Sequence, residues 1–468
     1  MNVSVGRKNY LELFDRKYAG LFLLFISVYF LSLSLANYRL SLFIIISVIP
    51  LFLFIINDFK IIILILPLFF FLNYGVYYFY SSELFVPFII ISFLVTYRNI
   101  QPSDLDFPLK KYFLFYLFIL LVSIIKSVSI LKSLLLVNHI VLFLALIAIV
   151  FATVRERKLI LSIIHVYLFG LTLNTLDVLI EVALTGKREF GFAGIMYVDL
   201  VSVGIVMTTL LFFFATVTYK KIMYASLSLL FVAGSIGTQT RNTWIATIVT
   251  LLIVSSFIII KHKDIGFSTN TFKRKSFVLI GLLVVGISVG LVFSPNSLER
   301  VTKINSLPQS QISETGSVHS TLLTRVLIWY TAYNAFKANP ILGIGAYSFP
   351  FTSQYYSTLN RVLYKYYVED LPPHETFIAV AVETGIVGLV VFVLLYIQLA
   401  VYIYRCAMRY TTSTDKDIGY VLSASVLYAM ISMGTTDAWL WGHCLILLGL
   451  LLGLLFAHSQ HISKPAIA

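Results

Sequence analysis

Charge is scarce in this chain. Only 12% of its 468 residues are Asp, Glu, Lys or Arg, about half the share usual in soluble globular proteins. Hydrophobic residues make up 59%, and the mean hydropathy is +0.93. One water-soluble core of this size cannot hide so much apolar surface, which excludes most soluble enzyme folds. Cysteine is almost absent. Cys406 and Cys444 lie in or beside apolar segments, with no metal-ligand spacing and no reason to expect a disulfide. There is no Gly-rich phosphate loop ending in Lys-Ser/Thr, no His-Glu-x-x-His and no paired cysteines, so no nucleotide or metal cofactor is expected.

What is present in quantity is long apolar runs. They are near-continuous rather than alternating, which selects helices over a barrel as the way to satisfy backbone groups in lipid. Met1 to Lys17 is polar, and the run after it has no small-residue cleavage site, so it reads as a first permanent helix. Fourteen candidate spans fall near 18–36, 41–56, 61–79, 84–97, 112–125, 133–153, 159–182, 197–217, 222–238, 242–260, 277–294, 375–403, 417–434 and 438–458. Two short ones, 84–97 and 112–125, would leave 12 if they are re-entrant or interfacial. The expected class is an all-α polytopic membrane protein. It divides into N-terminal helices (1–294), one large outer loop (295–373) and C-terminal helices (374–468).

The net charge of +13 tests this layout. With a cytoplasmic N-terminus, inside segments collect 22 of the 34 Lys and Arg residues, short outer loops 6 and the long loop 6. The positive-inside bias therefore accounts for the charge without any acidic or nucleic-acid partner. In the long loop, Ser294 to Ser320 is polar and reads as irregular. Leu322, Val326, Trp329, Tyr333 and Phe336 then recur at helical spacing. They predict an amphipathic helix that lies on the membrane or caps the bundle, stopped by Pro340, Gly343 and Gly345.

Basic residues on the outer side run against the bias and draw interest. Arg241 stands in GTQTRNTWIA, at the outer start of an inward-running helix. His374 stands in DLPPHETFIAVAVETGIVGL, at the start of another, and Arg325 lies in the loop helix. Two arginines and two helix N-termini on one face suit a diphosphate. An imidazole in such surroundings is expected to stay neutral, as a general base must. His374, Ile378, Ala381, Gly385 and Gly388 would share one narrow helix face, the glycines admitting a close neighbour. The plainer roles are interfacial anchoring for the arginines and packing for the glycines. Lys187, Arg188 and Glu189 equally suit a solvated loop face. The tyrosines of QYYSTLN and LYKYYVED suit an aromatic belt better than sugar stacking. Asp177, Glu181, Asp199, Glu383 and Asp437 lie within or at the ends of apolar runs.

Three segments together resemble the O-antigen ligase and polymerase superfamily of bacterial inner-membrane proteins. GTQTRNTWIA is similar to its Arg-x3-Leu motif, with Ile245 in place of Leu. TRVLIWYTAYNAFKANPILGIGAYSF is similar to its Arg…Trp…Pro-x-x-Gly-x-Gly stretch, and HETFIAVAVETG to its His-x10-Gly. The likeness covers roughly residues 186–404. It departs at the second outer loop, where GFAGIMYVDL lacks the family's Pro-Asn and has Asp199 near that point. The resemblance implies a GT-C-like bundle of 12–14 transmembrane helices with one large periplasmic loop and the active site on the periplasmic face. It also implies an inverting, metal-independent glycosyltransferase with an undecaprenyl-diphosphate-linked glycan as donor. His374 would be the base, and Arg241 and Arg325, with Arg188 as a further contact, would bind the donor diphosphate. The acceptor would be a hydroxyl such as one on lipid A-core in lipopolysaccharide biosynthesis. A repeat-unit polymerase using the same site is the close alternative, and a lipid-linked sugar transporter a more distant one.

Overall fold

A computed structural model describes residues 59–71, 81–97, 100–185, 189–238, 240–261, 264–266, 321–411, 415–436 and 442–463, with isolated positions between 270 and 288. The expected spans at 18–36 and 41–56, most of that at 277–294, and the start of the long loop lie outside the described residues. Within them every regular element is helical. The helices are α1 (Phe59–Ile65), α2 (Ser81–Thr96), α3 (Lys110–Ser123), α4 (Ile130–Thr153), α5 (Arg157–Thr185), α6 (Tyr197–Phe214) and α7 (Thr218–Gly237). They continue with α8 (Arg241–Lys261), α9 (Thr321–Ala338), the short α10 (Phe349–Thr352) and α11 (Arg361–Tyr367), then α12 (Thr376–Tyr410), α13 (Lys416–Met433) and α14 (Gly442–Ser463).

Five segments among the described residues are long and apolar enough to cross a membrane: Ile130–Thr153, Arg157–Thr185, Ala193–Phe214, Asn242–Lys261 and Thr376–Tyr410. The chain is an all-α polytopic membrane protein. α6 lies at its centre, with every residue from Tyr197 to Phe213 buried, as expected of a helix that is apolar all round. It packs against α5, α7, α8 and α13. α14 runs along α4, and α12 packs on α3, α13 and α9.

Charges expected inside the cell gather at one end. Arg157 spans the gap between α5 and α13, with Nε 2.7 Å from Asp415 and Nη2 2.7 Å from Asp417. Lys60 pairs with Glu156 at 2.7 Å, and Arg155 stands 3.8 Å from Asp104. Such partly exposed pairs contribute little stability each. They do show that the start of α5 and the start of α13 share an end, as the alternating layout requires.

The helix expected in the long loop is α9, and it caps the bundle. Its buried face differs from the expected stripe. Thr324, Ile328, Thr331, Ala332 and Ala335 face inward, while Val326 and Tyr333 are exposed. Ala332 and Ala335 are the reason: their small side chains let α9 press closely on its neighbours. They share a satellite core with Ile344, Phe349, Val368 and Val382.

Candidate functional site

The end of the bundle opposite Arg157 is built around a break in α12. Gly385 has φ 68° and ψ −167° inside that helix, a conformation open to glycine at little cost. The break leaves the carbonyls of Val382 and Glu383 and the N–H groups of Ile386 and Val387 without helical partners. Residues 340–345 supply them. Ile344 N donates to Val382 O at 3.0 Å and Gly345 N to Glu383 O at 3.0 Å, while Pro340 O accepts from Ile386 N at 2.8 Å and Ile341 O from Val387 N at 3.4 Å. A Cβ on Gly343 would stand 2.5 Å from the Glu383 carbonyl carbon, and one on Gly385 would strike the Ile341 carbonyl. The buried Glu383 carboxylate adds a side-chain tie, accepting from Tyr347 N at 2.9 Å. Pro-x-x-Gly-x-Gly and His-x10-Gly are thus two halves of one backbone joint. Gly385 serves this joint, which corrects its expected role in helix packing. Gly388 does pack, against Ile119 of α3.

Upstream of the joint, the structure also corrects the placement of His374. Glu375, not His374, caps α12, its carboxylate accepting from Phe377 N at 3.1 Å and Ile378 N at 2.6 Å. Two of the helix N-terminal amides that could face an anion are therefore already satisfied. His374 precedes the helix, so it shares no helical face with Ile378, Ala381, Gly385 and Gly388. It is half-buried, and its φ of 57° puts it in the left-handed region, which non-glycine residues hold at a cost and often at functional sites.

Three contacts fix the surroundings of this histidine. The Trp329 indole N–H of α9 donates to the carbonyl of Pro373 at 3.0 Å. The Thr376 hydroxyl donates to Thr436 O at 2.7 Å, tying the start of α12 to the turn after α13. Asn242, the second residue of α8, accepts from the Arg325 guanidinium, with Nη1 at 3.1 Å and its amide oxygen turned to that side. The same end of the Asn242 side chain lies 3.4 Å from the carbonyl of Thr435. The loop helix, the start of α8, the His374 turn and the Thr435–Thr436 turn therefore meet at one end of the molecule.

Beneath them, Asp199 of α6 is buried and accepts from the Tyr428 hydroxyl and the Ser432 hydroxyl, each at 2.9 Å. The carbonyl of Ser432 in turn accepts from Thr435 N and Thr436 N at 2.9 and 3.0 Å. Asp199, which marks the departure from the family pattern, anchors the turn that holds Thr376.

Of the sequence-expected site residues, the structure brings Arg325 and His374 to the same end. Arg241 opens α8 beside Asn242. Arg188 lies outside the described residues. Among the described residues no three His, Cys, Asp or Glu side chains come together as a metal site. Sequence reasoning missed Asn242, Thr376 and Glu375 as site-shaping residues, and it singled out Asp199 without showing what that residue holds. Asn242 adjoins Arg241 in its motif, which was a usable signal. Glu is not among the usual N-cap residues, and neither the contact at Thr376 nor that at Asp199 leaves a local trace.

Fold and site together define a polytopic helical membrane protein with a histidine and an arginine carried to one end on loop segments braced by the bundle. Residues 225–393 match the family model described as O-Antigen ligase, a span that includes Arg241, Arg325 and His374. Over this part the chain is similar to O-antigen ligases, which supports a ligase or polymerase in polysaccharide assembly. No curated protein matches the chain.

Proposed function

We propose that the chain is an inverting glycosyltransferase of the ligase kind, located in the bacterial inner membrane with its site on the periplasmic face. It moves a glycan from undecaprenyl diphosphate to a hydroxyl of a second, lipid-anchored acceptor, most simply a lipid A-core sugar. His374 takes the proton from that hydroxyl as its oxygen bonds to the anomeric carbon. The bond from this carbon to the diphosphate oxygen breaks on the opposite face, so configuration inverts. Charge develops on the departing diphosphate, where Arg325 and Arg241, with Arg188 as a further contact, neutralise it.

The observation that carries the reading is the placement of α9. One helix brings Arg325 to Asn242, next to Arg241, and one turn later ties Trp329 to the residue before His374. His374 and Arg325 are then tied to one rigid element, with Arg241 at the start of the adjoining helix, as a displacement reaction requires.

The test is a gel of surface polysaccharide and of polyprenyl-linked glycan from cells lacking the gene, complemented with wild type or His374→Ala. Bare acceptor lipid with long glycan stranded on the polyprenyl carrier is the expected result for the deletion and for His374→Ala. Acceptor carrying a single repeat, with no long chains on either lipid, would instead identify a polymerase. Full restoration of polysaccharide by His374→Ala would overturn the assigned base.

A further inference from the structure

We propose that Trp329 is a positioning residue for His374, acting through the main chain of Pro373; this rests on the role of His374 proposed above. His374 sits at φ 57°, in a conformation that a non-glycine side chain adopts only when its surroundings impose it. The following residue is fixed from one side, since Glu375 caps α12 and Thr376 is tied to Thr436. From the other side, the peptide just before His374 is held by the bond from the Trp329 indole to the Pro373 carbonyl, at 3.0 Å. The indole is only partly buried, and it packs against the core of Ile328, Ala332 and Ala335 that locks its helix in place. Pro372 and Pro373 stiffen the approach to His374 by fixing φ, but a proline ring leaves ψ free. The indole bond therefore orients the Pro373–His374 peptide plane, and with it the imidazole.

Arg325 stands one helical turn before Trp329, at the spacing that places side chains on the same face. Any shift of α9 moves the diphosphate contact and the peptide that aims the base together. Donor binding at Arg325 is thereby coupled to the orientation of His374.

The test uses full-length protein in lipid, with polyprenyl-linked glycan and acceptor lipid extracted from cells lacking the gene. Trp329→Phe, and separately benzothienylalanine at position 329, remove the indole N–H, the second with almost no change of shape. The expected result for both is a kcat lowered about tenfold, the usual weight of one such hydrogen bond in a rate. KM for the donor and the thermal midpoint should stay near wild type. An unchanged kcat for the benzothienylalanine protein overturns the proposal, as does a loss carried wholly by KM or by the thermal midpoint. The His374→Ala protein separates the two levels. Inactivity there with normal kcat at position 329 sinks the positioning role alone, whereas activity there sinks the base assignment beneath it.

Discussion

Asn242 of α8 and Arg325 of α9 meet with Arg325 Nη1 3.1 Å from the Asn242 amide. The contact joins the membrane bundle to its outer loop, and it helps to orient the Arg325 guanidinium. In the proposed reaction that arginine receives the leaving diphosphate.

Asn242→Ala should therefore weaken donor handling without removing any charge. A loss of about three- to tenfold in kcat/KM is expected, in line with one hydrogen bond to a charged group. Arg325→Ala should cost more, on the order of a hundredfold, and Arg325→Lys should rescue it only in part because the planar fork is lost. Steady-state kinetics on lipid-linked glycan would decide this, and equal activity of Arg325→Lys and wild type would rule out fork recognition.

The joint at Gly385 predicts a stability defect rather than a catalytic one. Gly385→Ala needs φ 68° and presses a Cβ on the Ile341 carbonyl. It should destabilise the protein by about 2 kcal/mol or more. Gly343→Ala, whose Cβ would crowd the Glu383 carbonyl carbon, should behave alike. Thermal unfolding in detergent, followed by size-exclusion chromatography, is the check, and two wild-type midpoints would show that the joint tolerates a side chain.

Asp199 offers a graded comparison. Asp199→Asn keeps an oxygen for the Tyr428 and Ser432 hydroxyls, whereas Asp199→Leu strands both. The leucine variant should lose about 1–3 kcal/mol, the penalty for unpaired buried polar groups, and the asparagine variant distinctly less. If the two variants unfold at the same temperature, the hydroxyl contacts contribute nothing measurable.

The layout itself can be tested with thiols. Cys406 and Cys444 are both buried, so the wild-type background should be low. Tyr366→Cys, in exposed α11, should react in intact cells with a membrane-impermeant maleimide. Glu156→Cys, beside the Arg157 cluster, should react only after the cells are opened. Reversed labelling would invert the proposed orientation.

The apolar runs made most of the helices legible, because a span must supply about twenty apolar residues whatever else it does. α4, α5 and α8 fall close to their expected limits. Lys and Arg placement then ordered the ends, and Arg157 lies with Asp415 and Asp417 as that order demands. What hydropathy could not carry was backbone conformation. The positive φ of His374 and of Gly385 has no hydrophobic signature, so the break in α12 and the exclusion of His374 from it were invisible. The face of α9 was misjudged for a related reason. Apolar bulk at Val326 and Tyr333 outweighed Ala332 and Ala335 in the pattern, yet close approach is decided by small side chains.

The backbone joint between residues 340–345 and the broken α12 has a last consequence, for how substrates arrive. Four main-chain groups of α12 find their partners in that loop, next to apolar surroundings where an unpaired group is expensive. Peeling the loop away would strand all four at once. The segment is thus a fixed wall beside the candidate site and not a flap over it. In the proposed reaction, any opening that admits a lipid-linked glycan must therefore come from segments other than residues 340–345.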